Sequence, residues 1–276
     1  MWSVDHVQSY CINLDRRPDR WAEVKAQPIA KKIPNLQRFS GVEGRSIDLD
    51  SDPRVSTVCR YNIKNKTRRG HEMIESIGAV GCALSHIALW EKLVKSDQQV
   101  FLIIEDDIVA SAEEWEKVRY LFAKYPQLAD STTWDIWSVG MLECFETMEK
   151  VPADQYKIED VWKNCAQFVG LQAYFITRRG AAALLKDVFP IQLHIDWYIT
   201  YYAQVKPLKI IHNKFVNFKQ NKAGSDINLG TCVICDIPTK VEETHYIIPI
   251  EPTNAAVLAT LSVAFVVWLA FARRSR

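Results

Sequence analysis

The sequence has almost no excess charge of either sign. Thirty-four Lys and Arg stand against 33 Asp and Glu, a formal net charge of +1, which gives a nucleic-acid partner no electrostatic footing. No secretory leader is expected, because Met1 to Tyr10 carry charge and no apolar core segment. No internal repeat or low-complexity tract appears. Cysteine is present without forming a framework. The seven residues Cys11, Cys59, Cys82, Cys144, Cys165, Cys232 and Cys235 are odd in number and scattered. Cys232 and Cys235 make a lone C-x-x-C, and without a second pair it lacks the ligands of a zinc site. A reducing compartment is the simpler expectation. Cys11 and Cys82 lie inside apolar segments and read as small buried hydrophobes.

What is there suits a globular chain. The 276 residues are 48% hydrophobic and 24% charged, enough for one large α/β domain or a domain with a smaller lobe. Nine tryptophans and ten tyrosines fit a bulky core better than sugar stacking for any single one of them. Near the end, Ala255 to Ala272 are apolar apart from Thr260 and Ser262, and Arg273, Arg274 and Arg276 follow. At ~1.5 Å per residue this stretch is just long enough to span a bilayer core. The expected organisation is a globular domain over 1–235, a connector over 236–253, a transmembrane helix over 254–272 and a basic tail over 273–276. A membrane tether with the globular part in the cytosol is expected.

The chain is organised around Val100-Phe101-Leu102-Ile103-Ile104-Glu105-Asp106-Asp107. Five apolar residues predict a strand buried on both faces. Three carboxylates cannot stay unpaired inside it, so they emerge at its C-terminal end. Ligands bind at that end in open α/β sheets, and clustered carboxylates there suit a hard divalent cation and its phosphate. An ordinary acidic turn is the alternative, and this stretch alone does not choose.

Helix and strand alternate around it, which predicts a mostly parallel sheet. Strands are expected over Ser9–Leu14, Gln37–Ser40, Trp134–Val139 and Ala173–Ile176, with a strand pair over Leu208–Phe218. Helices are expected over Asp19–Ala26, Gly78–Lys95 opened by Gly81, Ala112–Tyr125, Ala181–Asp187 and Trp197–Val205. Ser51 to His71 is polar and basic and reads as an exposed loop; its Asn65-Lys66-Thr67 sequon would be idle in the cytosol. Leu142 to Asn164 reads as an inserted loop near the ligand end. Asp196 stands where its helix begins, either as the N-cap or as a carboxylate facing the ligand edge.

Several stretches together resemble a known family. They are Ile12-Asn13-Leu14-Asp15-Arg16, Gly81 to Trp90, Ile104-Glu105-Asp106-Asp107, Gly170 to Ile176, Arg179-Gly180-Ala181, Ile195-Asp196 and Ser225-Asp226-Ile227. In this order they are similar to glycosyltransferase family 25, the lipopolysaccharide-type and procollagen-type β-galactosyltransferases. The likeness runs from about Ser9 to about Leu229. It implies a GT-A-like, Rossmann-type domain that is metal dependent and inverts the anomeric carbon. Glu105 and Asp107 would be the outer members of the D-x-D-type motif, holding Mn²⁺ or Mg²⁺. His212 is a candidate third metal ligand, or else a surface strand histidine. Donor contacts are expected from Asn13, Asp15, Arg16, Ser85, His86, Glu105, Asp106, Gln220 and Ser225. Asp196 is the expected general base, with Asp226 as runner-up.

The implied partners are a UDP-sugar donor and a carbohydrate or glycoprotein acceptor. Inversion needs one displacement, hence one base and no protein nucleophile. Two other readings share these residues. A metal-dependent nucleotide-sugar hydrolase needs the carboxylates but no acceptor groove. A membrane-tethered sugar-binding protein derived from a transferase would bind sugar without metal.

Overall fold

The computed structural model describes residues 2–141, 143–145, 162–164, 167–213 and 215–221. The predicted span over 254–272, the connector before it and the Ser225-Asp226-Ile227 stretch lie outside the described residues.

The chain enters through strand β1 (Gln8–Asn13) and helix α1 (Pro18–Ala26), then β2 (Leu36–Ser40). Pro18 starts α1, where a missing N–H costs nothing. Helix α2 (Thr57–Asn65) follows inside the stretch expected to be a loop. Local chemistry builds it. The Ser56 side chain accepts the Cys59 N–H, Cys59 and Asn62 are buried, and Lys66 closes the helix in the left-handed conformation. Its exposed basic side chains hide this pattern in the sequence.

Helix α3 (Ile77–Lys95) is capped by Ser76, not opened by Gly81. Gly81 lies within it for a packing reason. A Cβ there would stand 2.5 Å from the Val42 carbonyl oxygen and 2.9 Å from Gly44 N. Gly81→Ala is therefore expected to cost about 1–3 kcal/mol, measured by urea denaturation; a loss indistinguishable from zero would mean the backbones do not meet there.

The acidic strand is β3 (Val100–Glu105), followed by a two-residue strand β4 (Ile108–Val109) and helix α4 (Ala112–Lys124). Next come β5 (Ile136–Gly140), β6 (Glu143–Phe145), β7 (Trp162–Asn164), β8 (Gln167–Val169) and β9 (Ala173–Thr177). Helix α5 (Arg178–Leu184) begins three residues earlier than expected, because Thr177 caps it through the Gly180 N–H. Helix α6 (Ile195–Val205) has His194 at its N-cap, so Asp196 sits inside the first turn. The expected last strand pair is instead one sheet strand, β10 (Ile210–Asn213), and a short β11 (Lys219–Gln220) that pairs antiparallel with β4.

The central sheet runs β2-β1-β3-β9-β5-β10-β7. β1, β2 and β3 are parallel, β9 reverses, β5 and β10 return to the first direction, and β7 reverses again. Most strands thus point the same way, as the alternation of elements predicts. Both faces are covered. Tyr10, Phe101, Ile103, Tyr174 and Ile136 pack toward α3 and α5, whereas Cys11, Leu102, Ile104, Phe175 and Trp137 pack toward α4. This is why β3 reads as a continuous apolar run. Trp90, Trp115, Trp134 and Trp137 are fully buried, the core role expected for them. Helix α3 is apolar enough to cross a membrane by composition, but here most of it is buried in the core. The described residues form a Rossmann-like α/β sandwich.

Candidate active site

The chain leaves β1 through α1 to place β2 on one side, and returns through α3 to place β3 on the other. That reversal leaves a crevice at the C-terminal ends of β1 and β3. Asn13 ends one strand and Glu105 the other, with Ile12 opposite Glu105 in register.

The three carboxylates receive different environments. Asp106 is occupied by protein partners: Asn13 Nδ2 donates to it at 2.6 Å and Arg20 Nη1 at 3.1 Å. Burial raises its pKa, and the contacts from Asn13 and Arg20 pull it back. Asp106 thus anchors β3 to β1 and α1. Asp107 differs. Its Oδ2 accepts from Gln220 Nε2 at 2.8 Å, while its Oδ1 is buried with no hydrogen-bond partner. Burial, then the charge of Glu105, push the Asp107 carboxyl up to about 7. Glu105 is 19% exposed and contacts His86 Nε2 through Oε1 at 3.3 Å.

A buried carboxylate oxygen without a donor is costly. A divalent cation between Asp107 and Glu105 would remove that cost, so these residues fit the metal expected from the sequence. His212 is not brought to them. It lies on β10, three strands from β3, so about 14 Å away at ~4.8 Å per strand, and its Nδ1 lies 3.4 Å from the Ser138 carbonyl oxygen.

Other expected donor contacts turn out to hold the protein together. Asn13 is 1% exposed and spends its amide on Arg17 O, Asp106 and Arg38 Nε. Ser85 is buried, donating to Gly81 O and accepting from Val42 N. His86 is wholly buried. All three are buried and hydrogen-bonded to protein groups, a depth that a polar residue type in a sequence does not reveal. Asp15 and Arg16 stay at the surface, paired with Arg38 and Ser40 and with Glu43. The Arg38 and Ser40 contacts lower the pKa of Asp15. Gln220 grips Asp107, and the Asn221 N–H donates to the Asp107 carbonyl at 2.6 Å. The segment that leads to Ser225 and Asp226 therefore starts from contacts with Asp107; those two residues lie outside the described part.

Asp196 faces the same region from α6. Its Oδ2 accepts the Gly170 N–H and its Oδ1 the Trp197 N–H, both at 2.9 Å. Gly170 has φ 86, a conformation that favours glycine. Cys82 on α3 stands between the two acidic groups. It is partly exposed rather than fully buried. Its thiol is pushed well up by burial, then by Glu105, Asp196, Asp107 and Asp106. The stretch after α2 borders Asp196 as well, since Met73 bridges to Leu193 and the His194 N–H donates to Glu72 O.

Sequence reasoning did not single out Tyr174, Trp90 or Gln172. Cys82, His86 and Trp90 repeat every four residues on α3, a stripe readable in the sequence. Gln172, whose Oε1 is buried without a partner, also accepts the Glu105 N–H through its carbonyl.

Fold and site define an α/β protein with an acid-lined crevice at the switch point of its sheet. The model of glycosyltransferase family 25 (LPS biosynthesis protein) matches residues 6–199. A glycosyltransferase 25 family member of Anopheles gambiae is 28% identical over 189 residues, 67% of this chain and 29% of that protein. One from Aedes aegypti is 31% identical over 105 residues, 38% of this chain and 16% of that protein. A procollagen lysyl hydroxylase and glycosyltransferase of Acanthamoeba polyphaga mimivirus is 28% identical over 113 residues, covering 37% and 12%. The matches span less than a third of these relatives' lengths. The chain belongs to glycosyltransferase family 25.

Proposed function

We propose that the chain moves a hexose, galactose first and glucose next, from a UDP-sugar to a hydroxyl of a glycan or glycoprotein, with inversion, on a GT-A-like fold. The observation that carries this is Asp107 Oδ1, buried and unpaired beside Glu105 at the switch point. Glu105 and Asp107 hold Mn²⁺ or Mg²⁺, as an oxygen-rich site prefers. A cation bound there supplies positive charge against the departing diphosphate. The protein's own groups do the rest. Asp106, tied to Asn13 and Arg20, fixes the end of β3 so that its neighbours keep their aim. Asp196 accepts the proton of the acceptor hydroxyl. Both its oxygens already take a backbone N–H, and each keeps a lone pair for the substrate. The word procollagen in one relative's name supports a protein hydroxyl among the acceptors. Residues 254–272 tether the enzyme to a membrane with the catalytic domain in the cytosol; the uncharged and mainly apolar run Ala255 to Ala272 supports this.

The test needs no acceptor. The full chain is given a panel of nucleotide sugars with Mn²⁺, and nucleoside diphosphate release is measured. Release confined to UDP-hexoses and abolished by EDTA is expected; release that persists after EDTA overturns the metal reading.

A further inference from the structure

A chain of polar groups runs from the core to the crevice. Trp90 Nε1 lies 2.9 Å from Tyr174 Oη, which lies 2.9 Å from His86 Nδ1. His86 Nε2 lies 3.3 Å from Glu105 Oε1. Trp90, Tyr174 and His86 are fully buried. The hydrogens can be placed by elimination. An indole nitrogen only donates, so Tyr174 Oη accepts from Trp90. The Tyr174 hydrogen then needs an acceptor, and His86 Nδ1 is at hydrogen-bond distance. His86 therefore carries its proton on Nε2, which faces Glu105 Oε1 as acceptor. The other tautomer sets a lone pair against Glu105 and leaves the tyrosyl hydrogen unplaced.

We infer that Tyr174 and His86 are positioning residues that fix the Glu105 carboxylate for its cation. The His86 N–H holds Oε1, and Tyr174 locks the tautomer that makes this possible. Such outer partners orient ligands in metal sites generally. The inference rests on the reading that Glu105 and Asp107 hold a divalent cation. A rival role exists for the same side chains. Cys82, His86 and Glu105 bring their ligand atoms within 4.8 Å of one another, a trio that suits a softer ion such as Zn²⁺. Ligation through Nε2 would move the proton to Nδ1. Tyr174 Oη would then face two donors, with its own hydrogen stranded in the core.

The experiment has two arms on the full chain. Long-range ¹H–¹⁵N correlation of histidine-labelled, metal-free protein reads the tautomer of His86, identified by the signal lost in His86→Leu. Electron paramagnetic resonance of free Mn²⁺ reads affinity. The Nε2–H tautomer is expected, with Mn²⁺ affinity falling about 10–100-fold in His86→Leu. Tyr174→Phe should also weaken affinity. His86→Gln should recover most of it, because its amide N–H reaches the same oxygen. Trp134→Phe loses a buried indole hydrogen bond to Leu128 O on the opposite face. It is the control for a merely destabilised core and should bind as wild type does. An Nδ1–H tautomer, unchanged Mn²⁺ affinity in His86→Leu, or Zn²⁺ binding at His86 that Cys82→Ser abolishes would each overturn the inference. If wild type binds no Mn²⁺, the metal reading fails, while the tautomer still decides whether the relay exists.

Discussion

Asp107→Ala abolishes Mn²⁺-dependent binding of the nucleotide while leaving the fold intact. Among the described residues Asp107 presents the one carboxylate oxygen that is buried and unpaired, so no other described carboxylate replaces it. Isothermal titration of UDP with and without Mn²⁺ should show the metal-dependent component vanish; a titration matching wild type would overturn the role. The same residue predicts a pH dependence. Its folded-state pKa, about 7, lies above the ordinary 3.8. A raised carboxyl contributes stability that is complete below the ordinary value and is lost as pH rises through about 7. The metal-free protein should therefore gain thermal stability when acidified from pH 8 to pH 5. Asp107→Asn, with no charge to bury, should flatten that slope and exceed wild type in melting temperature at pH 8. Mn²⁺ should erase the difference and release protons on binding near neutral pH. A site that costs stability when empty and recovers it when loaded is the energetic signature of a ligand position rather than an acidic turn.

The parts of this picture legible in the sequence are those that periodicity or a run of one residue type announces. β3 is an example: five apolar residues mark it as a central strand, and the carboxylates after it mark the end at which the acid-lined crevice lies. Helix α3 and most of the sheet follow in the same way. Helix α2 was hidden because its buried face is made of Cys59 and Asn62, while Arg60 and Lys64 advertise solvent. Depth was hidden too. Asn13, Ser85 and His86 have the chemistry of ligand contacts, yet each is spent on a neighbour distant in sequence: Arg38, Val42 and Tyr174. Pairings of that kind depend on the packing of elements, which no local pattern encodes. The relation of Gln220 to Asp107 is another case, bridging 113 residues. The two acidic stretches at the sheet edge and on α6 were each visible; their meeting around Cys82 was not.

Asp196→Asn carries the second large effect. Removing a general base typically lowers rate by about 10²–10⁴-fold, and the loss should fall on transfer to acceptor. Metal-dependent UDP binding should stay as in wild type, because Asp196 lies on α6, whereas Glu105 ends β3 and Asp107 follows it. The substitution also turns an amide NH₂ toward one of the two backbone donors that Asp196 now satisfies, so some local repacking accompanies it. Gly170→Ala separates the two effects. It keeps the carboxylate but strains a backbone at φ 86, and so displaces the Gly170 N–H that aims it. If Asp196 is the base, Gly170→Ala should lower the transfer rate by a smaller factor than Asp196→Asn does, with metal-dependent UDP binding unchanged in both. Turnover near wild type in Asp196→Asn, together with its collapse in Asp226→Asn, would move the proton-accepting role to the segment that Gln220 straps onto Asp107. The base would then come from the sequence that follows β11, whose Gln220 holds Asp107, rather than from α6.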